Sequence, residues 1–168
     1  VLHGLGELKN SIEVHRDTLR RRRAVLGDNH PDTLTSINNL ATVLRTQGEL
    51  KEAEALFREA LLRKQRTLGS EHPTSFAAMH NVSTVLQSRG VFLEAEPLTR
   101  EALAGSQRTL GPKHPDTLTT MHNLSTLLLK LGKVIEGRET MEEAMALRKE
   151  TLGPKHPQTL TSISDYAG

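Results

Sequence analysis

Cysteine and tryptophan are absent from this 168-residue chain, and its aromatic residues are few: Phe57, Phe76, Phe92 and Tyr166. Without cysteine there is neither a disulfide framework nor thiol or cysteine–metal chemistry. That fits an intracellular, cytoplasmic setting. So few aromatics leave almost nothing on which the bases of single-stranded nucleic acid could stack. They also force a core of leucine, alanine and short β-branched residues, which suits close-packed helices better than a large ligand cavity. No apolar run approaches the ~18 residues that cross a bilayer, so membrane insertion is not expected. A net charge of only +2 gives little general attraction to nucleic acid or anionic membrane, and no nucleic-acid partner is expected. No carboxylate pair, nucleophile–base set or glycine-rich phosphate loop stands out. Catalytic residues, cofactors and metals are therefore not expected.

What the chain has instead is a period. Gly27, Gly69, Gly111 and Gly153 stand 42 residues apart, and His30, His72, His114 and His156 keep the same step, each followed by proline. A second series, Gly6, Gly48, Gly90 and Gly132, runs in parallel, as do Asn39, Asn81 and Asn123. Residues 110–118 read LGPKHPDTL and residues 152–160 read LGPKHPQTL. A fixed period of this size marks a repeat array, whose function belongs on a recurring surface and not in one deep pocket.

The stretch from Pro31 to Thr67 serves as the type unit. Pro31 suits the first turn of a helix, where its missing N–H would have no partner, and Asp32 complements the positive end of the helix dipole. Leu34, Ile37, Leu40, Ala41 and Leu44 follow at helical spacing, and Gly48 supplies the left-handed residue that ends many helices. This predicts a helix A of about 15 residues. A helix B is predicted from Glu49 or Leu50 to about Thr67, with the apolar stripe Leu50, Ala53, Phe57, Ala60 and Leu61. Acidic residues lie early in it and basic ones late, in keeping with its dipole. Gly69 ends it. Two helices joined so tightly are antiparallel neighbours, and stacked pairs make an α-solenoid. Pro97 and Gly137 fall early in their B helices and should weaken or bend them there.

The unit LGxxHPDTLTSINNLATVLRTQGELKEAEALFREAL resembles the tetratricopeptide repeat, in the 42-residue form of kinesin light chains and nephrocystin-like proteins. The matching positions are Leu40, Ala41, Leu44, Gly48, Ala53, Phe57 and Ala60. The resemblance implies an all-α fold: a right-handed α-solenoid of antiparallel helix hairpins. It covers residues 1–168 as a single array, read as a fragment of a longer protein. The expected parts are a partial repeat over 1–27 (the end of a helix A plus a helix B), repeats over 28–69, 70–111 and 112–153, and a partial repeat over 154–168 with helix A only. Phe57 becomes Thr99 and Met141, with His15 in the first partial unit, which points to looser packing there.

The resemblance also implies a non-catalytic protein–protein interaction module whose A helices line a concave groove for a peptide or protein segment. The polar face of helix A then nominates Thr35, Asn38, Asn39, Thr42 and Arg45 in the first unit. The second offers His80, Asn81, Thr84 and Gln87, and the third Thr119, His122, Asn123, Thr126 and Lys130. Asn39, Asn81 and Asn123 fall where peptide-binding members grip the ligand backbone; alternatively, these amides tie one helix to its neighbour. Arg45 and Lys130 favour an acidic segment. A second functional reading makes the array a structural subunit of a larger complex, using its convex face or edges. The His-Pro series does not suit a metal, because equivalent positions lie a helix-packing distance of ~8–10 Å apart and metal–nitrogen bonds are ~2 Å. Those histidines are expected to bond the loop preceding helix A. The run Arg20–Arg23 would suit phosphate, an acidic partner or an import factor; otherwise it is a solvated outer face at a helix C-terminus.

Overall fold

The computed structural model describes residues 2–157, 159–161 and 164, and no strand occurs among them. Seven helices follow one another among these residues: α1 Leu2–Leu26, α2 Pro31–Thr46, α3 Leu50–Leu68, α4 Pro73–Ser88, α5 Phe92–Leu110, α6 Pro115–Lys130 and α7 Val134–Leu152. The helix A expected over 154–168 lies partly outside the described residues; Pro157, Thr159–Thr161 and Ser164 are helical. The chain divides into two compact units, Val1–Ser70 and Glu71–Gly168. The division falls at an expected repeat junction, as suits an array in which each repeat touches only its neighbours. Within the first unit α2 packs on α1 and α3; within the second, α4 packs on α5, α5 on α6 and α6 on α7.

Each helix A is fixed at both ends by the recurring residues. His30 accepts a hydrogen bond at Nδ1 from the Asp32 amide, His72 from that of Thr74 and His114 from that of Asp116, each at 3.2 Å. The His-Pro histidines are thus N-caps of the helix that follows, not ties to the loop before it. An imidazole nitrogen here does the work usually given to a serine or aspartate oxygen. At the other end the Gly48 amide reaches the Arg45 carbonyl at 3.1 Å and the Glu49 amide reaches that of Leu44 at 2.9 Å. Gly48 has φ +86°, the left-handed residue that such a paired closure requires. Gly69, at the end of α3, lies at φ 96°, ψ 154°, a region open essentially to glycine alone.

The apolar face of helix A is as expected: Leu34, Ile37, Leu40, Ala41 and Leu44 are buried, as are Phe76, Met79, Val82 and Leu86, and Leu118, Met121, Leu124 and Leu128. On α3 the buried residues are Ala53, Phe57 and Ala60. Gly137 continues the small-residue series for close approach, since a Cβ there would stand 2.9 Å from Leu129 Cδ2. Pro97 does not break α5. The carbonyl that loses its helical partner to a proline is four residues back, at Leu93, which is 81% exposed and so has water available.

The first half-unit differs from expectation. α1 runs unbroken through Gly6, and Gly6 is not among the glycines with positive φ. Glycine permits a turn without imposing one.

Departures from the repeat pattern occur in matched pairs. Ala41 and Phe57 of the first unit become Ser83 and Thr99, both buried. Their hydroxyls hydrogen-bond each other, and Thr99 donates to the Ala95 carbonyl at 2.8 Å. The expected looseness at this position is filled with satisfied polar contacts. Likewise Leu34 and Leu118 become Phe76 in α4, while the facing position of α5 becomes Gly105; a Cβ at Gly105 would collide with the Phe76 ring.

Successive B helices are joined by long ion pairs. In the first unit Arg16 meets Glu52 at 2.7 Å and Arg23 meets Glu59 at 2.8 Å. In the second, Arg100 bridges Glu96 at 2.9 Å and Glu136 at 2.7 Å, and Lys133 reaches Glu96 at 2.6 Å. The Lys133 hydrogen bond, aided by Arg100, holds the Glu96 carboxyl below the usual carboxylate range; Glu136 and then Glu96 raise Arg100. The Arg20–Arg23 run is drawn into this surface. Arg20 and Arg21 pair with Asp17 at 3.3 and 2.7 Å, and Arg22 donates to the Asp32 carbonyl and Ser36 Oγ at 2.9 and 2.8 Å.

Two outcomes follow from these pairings. Gly105→Ala should destabilise the protein by about 1–3 kcal/mol through overpacking, despite the better helix propensity of alanine. Adding Phe76→Leu should recover most of that loss; urea unfolding of the four proteins measures the coupling, and simple additivity would disprove the pairing. For Glu96 the folded pKa is depressed, so its contribution is complete above the unfolded carboxylate pKa and disappears as pH falls through the lower folded value. Glu96→Gln should therefore melt below the wild type near neutrality and together with it at about pH 2. A difference that persisted undiminished into acid would refute the ion-pair origin.

Candidate functional site

The polar faces of the A helices begin with threonine. Thr35 donates to the Pro31 carbonyl at 2.9 Å, Thr42 to Asn38, Thr84 to His80, Thr119 to Pro115 and Thr126 to His122, all within 3.2 Å. Each of these hydroxyl protons is committed to its own helix. What the threonines have left to offer is oxygen lone pairs, which accept and do not donate.

In the first unit Thr35, Asn39 and Thr42 are exposed, and Asn38 and Arg45 are half-buried. The Asn38 Oδ1 is turned inward, buried and without a hydrogen-bond partner. In the second unit His80, Asn81, Thr84, Gln87, Thr119, His122, Asn123 and Thr126 are half-buried, while Lys130 is exposed. Gln87 donates to Ser83 Oγ at 3.2 Å, and the Lys130 ammonium lies 5.5 Å from the centre of the Phe92 ring, a cation–π distance.

His80 joins α4 to α6. Its Nδ1 lies 3.2 Å from Thr120 Oγ1 and its Nε2 3.1 Å from Asn123 Nδ2. The Thr120 proton already goes to the Asp116 carbonyl at 2.9 Å, so the threonine oxygen must accept, and His80 must carry its proton on Nδ1. Nε2 is then the acceptor for the Asn123 amide. One neutral tautomer satisfies all three contacts. Of the two roles open to the asparagines, Asn123 therefore serves the tie between neighbouring helices with one of its two N–H donors.

Asn81 stands differently. It lines a cavity of ≈ 200 Å³ together with Pro73, Ala77, His80, Ser106, Leu110, Asp116, Thr119 and Thr120. Three of the expected groove residues, His80, Asn81 and Thr119, thus converge on one concave feature. Thr84, Gln87, His122, Thr126 and Lys130 lie outside its lining. Ser106 and Asp116 were not singled out by the sequence reading, although Ser106 stands where Arg22, Lys64 and Arg148 stand in the other repeats. Among the described residues no group of three or more His, Cys, Asp or Glu could hold a metal ion, and no helix is long and apolar enough to cross a membrane.

Tetratricopeptide repeat family models match residues 1–32, 33–74 and 117–158, and a second model of the same description matches 74–134. The chain belongs to the tetratricopeptide repeat family. Among solved structures this tetratricopeptide chain is similar to kinesin-light-chain TPR-like repeats of Podosopora anserina. They are 29% identical, with a TM-score of 0.80, over 98% of this chain and 78% of that one. A variant of the same repeats is 28% identical with a TM-score of 0.82, over 98% and 77%. BtubC (BKLC) of P. vanneervenii shares the fold at 20% identity, with a TM-score of 0.79 over 94% of this chain and 63% of that one. No curated protein matches the sequence. The fold is accordingly the all-α solenoid of kinesin-light-chain-like tetratricopeptide repeats, and the chain is a protein–protein interaction module.

Within this module, His80→Ala should cost about 1–2 kcal/mol, the worth of two partly buried hydrogen bonds. Combined with Asn123→Ala it should cost less than the two single changes added together. Urea titration decides; strictly additive losses would mean that the bridge is not formed.

Proposed function

We propose that this tetratricopeptide array is a non-catalytic adaptor that holds an extended peptide or protein segment along the polar faces of its A helices. The observation that carries this reading is the cavity at which His80, Asn81 and Thr119 meet. A peptide offers alternating N–H donors and C=O acceptors. The threonines supply lone pairs, and Asn81 supplies both a carbonyl and an amide, so backbone hydrogen bonds would give adhesion without a demand on sequence. Side-chain preference would come from charge. Arg45 and Lys130, at the C-terminal ends of α2 and α6, favour an acidic residue there. The cysteine-free sequence fits action in the cytoplasm, within a larger chain or complex.

Asn81→Ala should weaken binding to a peptide array about tenfold, the scale of one or two lost hydrogen bonds at an interface, with helicity by circular dichroism unchanged. Binding that stayed at wild-type strength would take Asn81 out of the site.

A second reading rests on a separate observation. Leu93 and Ile135 occupy the same repeat position at the starts of α5 and α7 and are 81% and 77% exposed. Two large apolar side chains recurring on an edge suit a scaffold contact in an assembly. Changing both to aspartate would abolish such a contact and leave peptide capture intact.

A further inference from the structure

One position of helix B carries a long cation in three repeats and a serine in the fourth: Arg22, Lys64, Ser106 and Arg148. Where the cation is present, it is packed inward. Arg22 donates through Nη1 to the Asp32 carbonyl at 2.9 Å and to Ser36 Oγ at 2.8 Å. Arg148 is only 4% exposed and donates to the Leu118 carbonyl at 3.2 Å. Lys64 is half-buried, and burial lowers its pKa. The position is a niche at the foot of an A helix that accepts a basic side chain.

Advancing the partners of Arg22 by two periods of 42 gives Asp116 and Thr120. Both line the ≈ 200 Å³ cavity, and so does Ser106, which replaces the arginine. Ala77, another lining residue, stands where Thr35 and Thr119 stand in the neighbouring repeats. Two shortened side chains open the cavity, and its lining keeps Thr120 Oγ1, which has a second lone pair beyond the one that accepts from His80. The Asp116 carboxylate is largely exposed beside it, which adds negative charge. Asn81 and His80 line it as well.

We propose that this cavity receives the arginine side chain of a bound peptide, which takes from outside the chain the place that Arg22 takes from within it. The guanidinium would donate to the Asp116 carboxylate and to Thr120 Oγ1, the latter as Arg22 does to Ser36 Oγ. A charge-assisted pair of this kind is stronger than its neutral counterpart. The planar, multi-donor head favours arginine over lysine. The inference rests on the groove reading above and deepens it: a basic residue would be read at the N-terminal end of the A helices.

The test is titration of the full chain with N-acetyl-arginine N-methylamide and with its neutral isostere N-acetyl-citrulline N-methylamide, followed by amide chemical shifts. Arginine should perturb Ser106, Asp116 and Thr120 and bind about tenfold more tightly than citrulline. Ser106→Arg should remove those perturbations while melting at or above the wild-type temperature, since it restores the internal cation. Equal binding of the two probes, or undiminished binding to Ser106→Arg, overturns the proposal. Should Ser106→Arg not fold, Asp116→Asn decides instead: it should weaken arginine several-fold and leave citrulline alone, and an equal effect on both refutes it. Failure of the groove reading looks different. Peptides lacking basic residues that bind wild type and Ser106→Arg alike, and depend on Asn81, would keep the groove and discard the arginine niche. Arginine binding with no peptide capture would do the reverse.

Discussion

Everything on the surface of this chain depends on where each helix A starts. The histidine before the proline accepts from the second amide of the helix, the proline occupies the first turn, and glycine closes the far end. With both ends fixed, residues 42 apart present the same face. An N-cap is worth only about 0.5–2 kcal/mol, so its importance lies less in stability than in register. If the helix began one residue later, every side chain would rotate by about 100°, and the apolar stripe and the polar face would be lost together.

Given that register, departures from the pattern become informative because they must be compensated locally. Phe76 fits only because residue 105 is glycine. Thr99 is buried with its proton given to its own helix, and Ser83 adds a partner for its oxygen where alanine could not. Both pairs lie in the α4–α5 hairpin. Ser106 sits in the same hairpin, and Ala77, which lines the same cavity, is shortened as well. A shortfall of volume is therefore left open, lined by polar groups that could take up a ligand.

Much of this was legible in the sequence, because helix ends and apolar stripes are local properties. The period, the B-helix stops and the buried face of helix A were all readable from spacing. The behaviour of Gly6 was not, since a glycine is compatible with a helix as well as with a turn. The His80 bridge and the committed threonine hydroxyls escaped for another reason. Polar patterning shows which face a residue occupies but not whether its hydrogen bonds are already taken, and that depends on residues 40 or more positions away. A residue-by-residue comparison of repeats did contain the signal for Ser106, in the contrast with Arg22, Lys64 and Arg148, but only the cavity gives that contrast a meaning.

The distribution of charge along the A helices follows from the same caps. Asp32 and Asp116 lie in the first turn, where the helix dipole favours anions, and Arg45 and Lys130 in the last, where it favours cations. In α2 and in α6 these charges give the helix an acidic start and a basic end, whereas α4 carries neither. The small net charge of the chain reflects this balance within single helices and leaves little long-range attraction.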